Sequence, residues 1–454
     1  MVHIKVKKGL DIPIKGKPVG QVQKLSTPVC VSLNLSSFED IKFRLLVKKG
    51  DLVSIGQALA LDKACPERLF VSPGGGRVKE IRRGLKRRLL DIVIELSPKE
   101  EYEELGPLDV EVASREEIIS KLQMAGLFAH IRMRPCNVLA DPKRIPNRIF
   151  IKAIESAPFV PSAEKQVEGY EKEFQMGLMV LSKLTQGSIH LVYRKDTDCR
   201  AFNEAQYAEK HSAEGPHPVS NTSVHIHHID PIMSHDEIVW SLTAYDVLCI
   251  GVLAYTGRIH HESLISIAGE GIIPDKRGYY KVRNGCPVAH LLESRKAFGL
   301  LRYVSGDLLT GKKVEEEDFL GFYHKVFCSI HENVEREFLH FFRLGFNKFS
   351  ATKTYLSGLL KCKDKEYDFT TNKHGEERAF VDPSIYSKVM PMQIPVMHLV
   401  KAILSGDFDL AENLGLLEVD SEDFALPTFI CPCKIEMSEI VKNGLRDYAK
   451  EFFQ

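Results

Sequence analysis

The chain has 454 residues, more than a single hydrophobic core usually serves, so two to four domains are expected. Hydrophobic residues make up 44% and charged residues 27%, the balance of an ordinary folded protein in water. Lys plus Arg (61) equals Asp plus Glu (61), so no net field draws the chain onto nucleic acid or an acidic bilayer.

The opening MVHIKVKKGLDIPIKG alternates charged and apolar residues and lacks the apolar core of a signal peptide. The most apolar run, Tyr245 to Tyr255, is broken by Asp246 and too short to span a bilayer, so it reads as a buried strand. Any membrane attachment is therefore expected to run through partner proteins. The ten cysteines, Cys362 among them, include no CxxC pair and read as reduced thiols of a cytosolic protein. Cys431 and Cys433 are one residue apart and lack further thiolates nearby, which argues against a zinc or iron–sulfur site.

Residues 1 to about 98 are rich in β-branched residues and glycine turns, the pattern of short strands. Within them, KKGDLVSIGQALA and FVSPGGGRVKEI resemble the two halves of a barrel-sandwich hybrid, the fold of lipoyl and biotinyl domains. Gly106-Pro107 closes an acidic linker, and Ser114 to Met124 is a helix. Ser114 caps it, Glu117 completes a capping box, and Ile118, Ile119 and Leu122 form its apolar face. From Ile149 to about Gly257, strand-like RIFIKAI and SIHLVYR alternate with helical stretches such as Glu168 to Leu184, which argues for a largely parallel α/β sheet. Residues of about 262 to 312 return to short strands. Leu339 to Phe349 is aromatic-rich, and Pro391 to Ser405 and Glu436 to Phe453 read as helices.

Several motifs invite chemistry and fall short of it. Asp62-Lys63-Ala64 mimics a lipoylation hairpin, but no transferase motif accompanies it, so a carrier fold reused for docking is the better reading. Gly74-Gly75-Gly76 precedes RVKEI, a strand, whereas a phosphate cradle needs a helix N-terminus there. Gly269-Glu270-Gly271 runs into Ile272-Ile273-Pro274 and cannot start a nucleotide-binding helix. His217, His225, His227, His228 and His235 cluster in sequence; in a strand His225 and His227 would share a face. No acidic residue is spaced to complete a metal site, so they read as structural, and His260-His261 carries less signal still. No GxSxG, Walker loop, HExxH or GxGxxG occurs, which leaves hydrolase, phosphotransferase and nicotinamide-binding readings unsupported.

The ordered motifs IKVKKGLDIPIKGKP, VSPGGGRVKEIRRGLKRRLLDIVIE, AGLFAHIRMRP, EGPHPVS, IVWSL, LGFYH, NKFSATKTYL, KVMPMQIP and EDFALPTFICPCK run through nearly the whole chain. Together they resemble the A-subunit family of the Na+-translocating NADH:quinone oxidoreductases, itself related to the C subunit of Rnf complexes. The resemblance implies four regions. These are a barrel-sandwich hybrid (1–100), a degenerate Rossmann-like α/β domain lacking a flavin loop (101–260), an SLBB-like β-grasp domain (261–330) and a helical C-terminus (331–454). It also implies a peripheral subunit on the cytoplasmic side of the bacterial inner membrane, in a six-subunit complex, assembled chiefly on the membrane-embedded B subunit. NADH, flavins, Fe–S centres and Na+ would be handled by other subunits, ubiquinone would be the ligand here, and this subunit by itself would not catalyse.

In flavin-carrying relatives a glycine-rich loop admits the flavin phosphate. At the matching GLFAHIRMRP only Gly126 remains, so the resemblance implies a redox scaffold without its cofactors. A quinone pocket needs apolar walls and a few donors. Leu127, Phe128, Ile131, Arg132 and Arg134 are one candidate wall, and Leu33, Asn34, Leu35 and Phe38 a second; equally, Phe128 and Ile131 are core and the arginines pair with carboxylates. The family commonly has Trp, Phe and Phe at Phe128, Ile131 and Cys136, Lys at Val138 and Cys at Pro427.

Overall fold

The computed structural model describes every residue except 335–337, 340, 341, 361–364, 453 and 454, so Cys362 and Phe453 lie outside the described residues. Its largest sheet has seven strands, in the order His3–Lys5, Glu209–Glu214, Ile189–Arg194, Arg148–Ala153, Val239–Thr243, Arg132–Arg134 and Val138–Leu139. The first five run parallel, Arg132–Arg134 pairs antiparallel with the fifth, and Val138–Leu139 pairs antiparallel with Arg132–Arg134 in turn. Both faces are covered, which is why the strand Arg148–Ala153 carries three consecutive apolar residues, Ile149, Phe150 and Ile151, all buried. On one face Ile149, Ile151 and Leu191 meet Phe174, Leu178, Val247 and Ile250 of helices Glu171–Ser182 and Ala244–Thr256. On the other, Phe150 and Val192 share a core with Leu399, Val400, Val441 and Leu445 of the C-terminal helices Val396–Ser405 and Met437–Phe452.

Tyr245 to Tyr255, expected as a strand, is a helix. A run that is apolar all round carries no period, so periodicity cannot separate a buried strand from a buried helix. The missed signal is local: Thr243 accepts from the Asp246 N–H, and the Asp246 carboxylate accepts from the Thr243 N–H, a capping box at the helix start. The same reasoning succeeds at Arg115–Met124, where Ser114 and Glu117 form the expected box and Ile118, Ile119 and Leu122 are buried.

The barrel-sandwich hybrid is built from two sheets. Cys30–Asn34, Leu89–Leu96, Gly76–Arg83 and Leu52–Val53 form one, and Phe43–Leu45, Ala58–Asp62 and Leu69–Val71 form the other. They close over Val31, Leu33, Leu35, Phe38, Leu59, Phe70 and Ile92. The strand expected after the glycine triplet is there. Lys63 stands exposed at its hairpin, but the hairpin is tied down: buried Arg68 donates to Asp62 at 2.7 Å and to the Ala140 carbonyl at 2.7 Å.

The chain's first residues do not stay with this barrel. His3–Lys5 edges the seven-stranded sheet, and Val22–Lys24 edges a six-stranded one with Gly278–Arg283, Glu262–Ala268, Val326–His331, Leu301–Ser305 and Lys312–Val314. A short helix, Val288–Leu292, packs on that sheet through Val288, Leu291 and Leu292.

Candidate functional site

Strand Arg148–Ala153 ends at Lys152-Ala153, and strand Val239–Thr243 ends at Thr243. The carboxyl ends of parallel strands are where open α/β sheets hold ligands, because the loops there diverge and leave a crevice. Here the crevice is a cleft of about 350 Å³. The six-stranded layer closes it with Asp307, His324 and Lys325, and the C-terminal turn Ser421–Phe424 with Asp420 and Glu422. A smaller cavity of about 70 Å³ lies beside it, walled by Leu33, Asn34 and Phe70 of the barrel, Gly126 and Leu127, and His260 and Asn284. His130, Tyr245, Phe322, His324 and Lys325 line both cavities. A third, larger groove of about 550 Å³, walled by Ile12, Ile14, Phe349, Phe369 and Phe429, contains none of the sequence-derived candidates.

The shared wall is held by long-range contacts. His130 bonds through Nδ1 to Asp246 Oδ1 at 2.8 Å, and Thr243 donates to the other carboxylate oxygen. Burial pushes the Asp246 carboxyl up, but the bonds from His130 and Thr243 outweigh it and hold it below its ordinary value. With the Asp246 carboxylate accepting, His130 Nδ1 carries the proton of this bond. The Phe322 ring stacks at a tilt against His130, 4.9 Å between centroids. Lys325 Nζ sits 3.4 Å above the Tyr245 ring and has no hydrogen-bond acceptor among the described residues. Burial lowers its pKa to about 8. Burial also lowers His217 and His324 to about 4, so both are neutral at pH 7. Glu422 is pushed up to about 7 by burial, with Asp420 and Asp423 adding to the effect.

The two candidate walls divide. Arg132 and Arg134 line the cleft, while Leu33, Asn34 and Leu127 line the smaller cavity. Leu35 and Phe38 lie inside the barrel core. Phe128 and Ile131 are fully buried, Phe128 edge-on to Trp240 at 5.8 Å. Asn34 is committed already, donating to Asp91 and accepting from Ser36. Arg132 lies over the Tyr323 ring at 4.7 Å. Arg134 is 2% exposed, donates to Ser223 at 3.1 Å and faces Asp420 at 3.5 Å.

Gly126 adopts φ +71° just past the helix Arg115–Met124, a turn that closes that helix. Three amides of this loop are engaged within it or with that helix: Gly126 N–H donates to Gln123, Ala129 N–H to Gly126 and Ile131 N–H to Phe128. The strand placement that would have let His225 and His227 share a face does not occur. His225 and His227 lie on the helix Thr222–Ile229, where positions two apart point in different directions. His225 bonds to the Val219 carbonyl and His227 to Glu418. Sequence reasoning missed His130, Tyr245, Asp246 and Lys325 as wall residues; the capping box at Thr243 and the LGFYH motif at 320–324 were the available signals.

Two family models match: "NqrA N-terminal barrel-sandwich hybrid domain" over residues 4–97 and "NqrA second alpha/beta domain" over 113–259. The Na(+)-translocating NADH-quinone reductase A subunit of Chlamydia pneumoniae is 39% identical over 460 residues, covering 99% of this chain and 98% of that one. The protein of the same name from Cellvibrio japonicus is 34% identical over 445 residues, covering 97% and 98%. Among solved structures, an NAD+-reducing [NiFe]-hydrogenase in the H2-reduced state aligns with a TM-score of 0.38 at 11% identity, covering 77% of this chain and 64% of that one. No helix among the described residues is long and apolar enough to cross a membrane. Matched end to end by such relatives, and over 4–97 and 113–259 by the two domain models, the chain belongs to the family of A subunits of the Na(+)-translocating NADH-quinone reductase.

Proposed function

We propose that this subunit holds quinone for the complex and docks on its membrane-embedded B subunit from the cytoplasmic side. NADH, flavins, Fe–S centres and Na+ are handled by the other subunits. In this reading the α/β domain (101–260) is a degenerate Rossmann-like unit and the six-stranded region (261–330) an SLBB-like β-grasp. The barrel-sandwich hybrid and the helical C-terminus (331–454) complete the chain.

One observation carries the quinone reading: the junction of the two cavities. A quinone head needs aromatic or aliphatic walls and a donor for each carbonyl oxygen. At the junction, Tyr245 and Phe322 supply the walls, and Lys325 presents an ammonium with no acceptor among the described residues. Leu33 and Leu127 extend the apolar side.

A short-chain quinone titrated into the full chain is expected to quench Trp240 saturably. Trp240 is the only tryptophan, fully buried, and next in sequence to Ser241 and Leu242 of the cleft wall. Replacing Lys325→Met removes a charged donor and is expected to weaken binding about tenfold or more. Because Lys325 is protonated below about 8, wild-type affinity falls as pH rises through that value, and the variant loses this dependence. Absence of any saturable quench or heat of binding overturns the quinone reading and leaves a ligand-free scaffold.

A further inference from the structure

We propose that His190, Glu209 and His211 form a binding site for one divalent transition ion of zinc's class, away from the ligand cleft. His190 lies directly opposite Glu209 across the parallel strands Ile189–Arg194 and Glu209–Glu214, and His211 is two residues further along the second strand. A strand alternates its faces, so all three side chains project from one side of the sheet.

Their ligand atoms already surround a point. His190 Nδ1 is 3.1 Å from His211 Nε2 and 3.7 Å from Glu209 Oε2, and His211 Nε2 is 3.9 Å from that oxygen. The centre of this triangle is about 2.1 Å from each corner, the bond length of zinc to imidazole nitrogen and carboxylate oxygen. A small inward swing of the exposed Glu209 lifts the ion out of the plane and makes the site tetrahedral, with water at the fourth position. Ser188 donates to the other Glu209 oxygen at 2.5 Å and so orients the carboxylate. Both imidazoles are buried, and the His190 ring packs on Phe150 at 4.6 Å. Two nitrogen donors with one carboxylate select zinc, nickel or copper over magnesium or calcium.

The hydrogen bonds say what the ion displaces. The Val2 N–H donates to His211 Nδ1 at 3.1 Å, so the His211 proton sits on Nε2 and points at His190. An ion on Nε2 sends that proton to Nδ1, where it opposes the Val2 N–H. Metal binding and the anchoring of Val2 therefore compete. The trio sits near the amino ends of its strands, whereas the cleft opens at the carboxyl ends, so this inference does not depend on the quinone reading.

The test uses the untagged full chain with its exposed thiols alkylated and Co2+ as the probe. One Co2+ per chain with the strong visible absorption of four-coordinate cobalt, displaced by Zn2+, is the expected result. Glu209→Gln, at an exposed position, is expected to weaken binding about tenfold or more, and His211→Gln to abolish it. Val2→Pro removes the competing N–H and is expected to tighten binding, which an adventitious surface ion would not do. Glu209→Gln and Val2→Pro keep the test decisive if His211→Gln fails to fold. No stoichiometric Co2+ binding, or binding indifferent to both Glu209→Gln and Val2→Pro, overturns the site.

Discussion

Replacing Arg134→Met is expected to cost about 3–5 kcal/mol of folding stability, because it leaves the buried Asp420 and Asp423 carboxylates without the guanidinium beside them. Arg134 faces the turn that carries Asp420, Glu422 and Asp423, and its charge pulls down the pKa of both Glu422 and Asp423. Asp420 accepts from Asn137 at 2.6 Å and Asp423 from Asn221 at 2.8 Å, so their hydrogen bonds survive while the charge balance does not. The pH dependence has a definite sign. In the wild type burial already raises Glu422 to about 7, so its cost is full above that pH and fades as the carboxyl protonates on acidification. Without Arg134 the carboxyls rise further, so the variant's deficit is greatest in alkali and shrinks as the pH falls toward about 4, the ordinary carboxyl value. Urea midpoints measured across this range check it; a deficit that does not change with pH rules out the charge explanation.

Replacing Gly251→Ala is expected to destabilise the chain by about 1–3 kcal/mol or more, the cost of overpacking a tight core. A methyl there would stand 1.6 Å from the Glu173 carbonyl oxygen, and one on Gly177 would stand 2.1 Å from the Val247 carbonyl oxygen. Helices Glu171–Ser182 and Ala244–Thr256 thus touch backbone to backbone at two glycines, and neither contact can be relieved by turning a side chain. The variant must move the helix whose first turn carries Tyr245 and Asp246, two walls of the cleft. A lowered melting temperature together with weaker quinone quenching is the expected pair of results. Full stability in Gly251→Ala would show that the helices have room that this packing denies.

Much of the fold was legible because it rests on local rules. The capping box at Ser114, the strand after Gly76 and the apolar strands of the α/β sheet each depend on residues a few positions apart. The candidate site was legible only in part. Hydrophobicity marked Phe128, Ile131, Leu35 and Phe38 as well as Leu33 and Leu127, but only the last two face a cavity. An apolar residue satisfies a core and a pocket wall alike, so sequence alone could not separate them. His130 was passed over because its role depends on Asp246, 116 residues away.

By itself the sequence determined the family, through motifs spread in order along the chain, and the elements whose caps or periods are self-contained. The tertiary structure decided that Ala244–Thr256 is a helix, that His225 and His227 point apart, and that His190 faces Glu209 and His211. Those outcomes follow from which strand lies beside which and which face is covered. Such contacts join residues far apart in the chain, whose energies no short stretch of sequence contains.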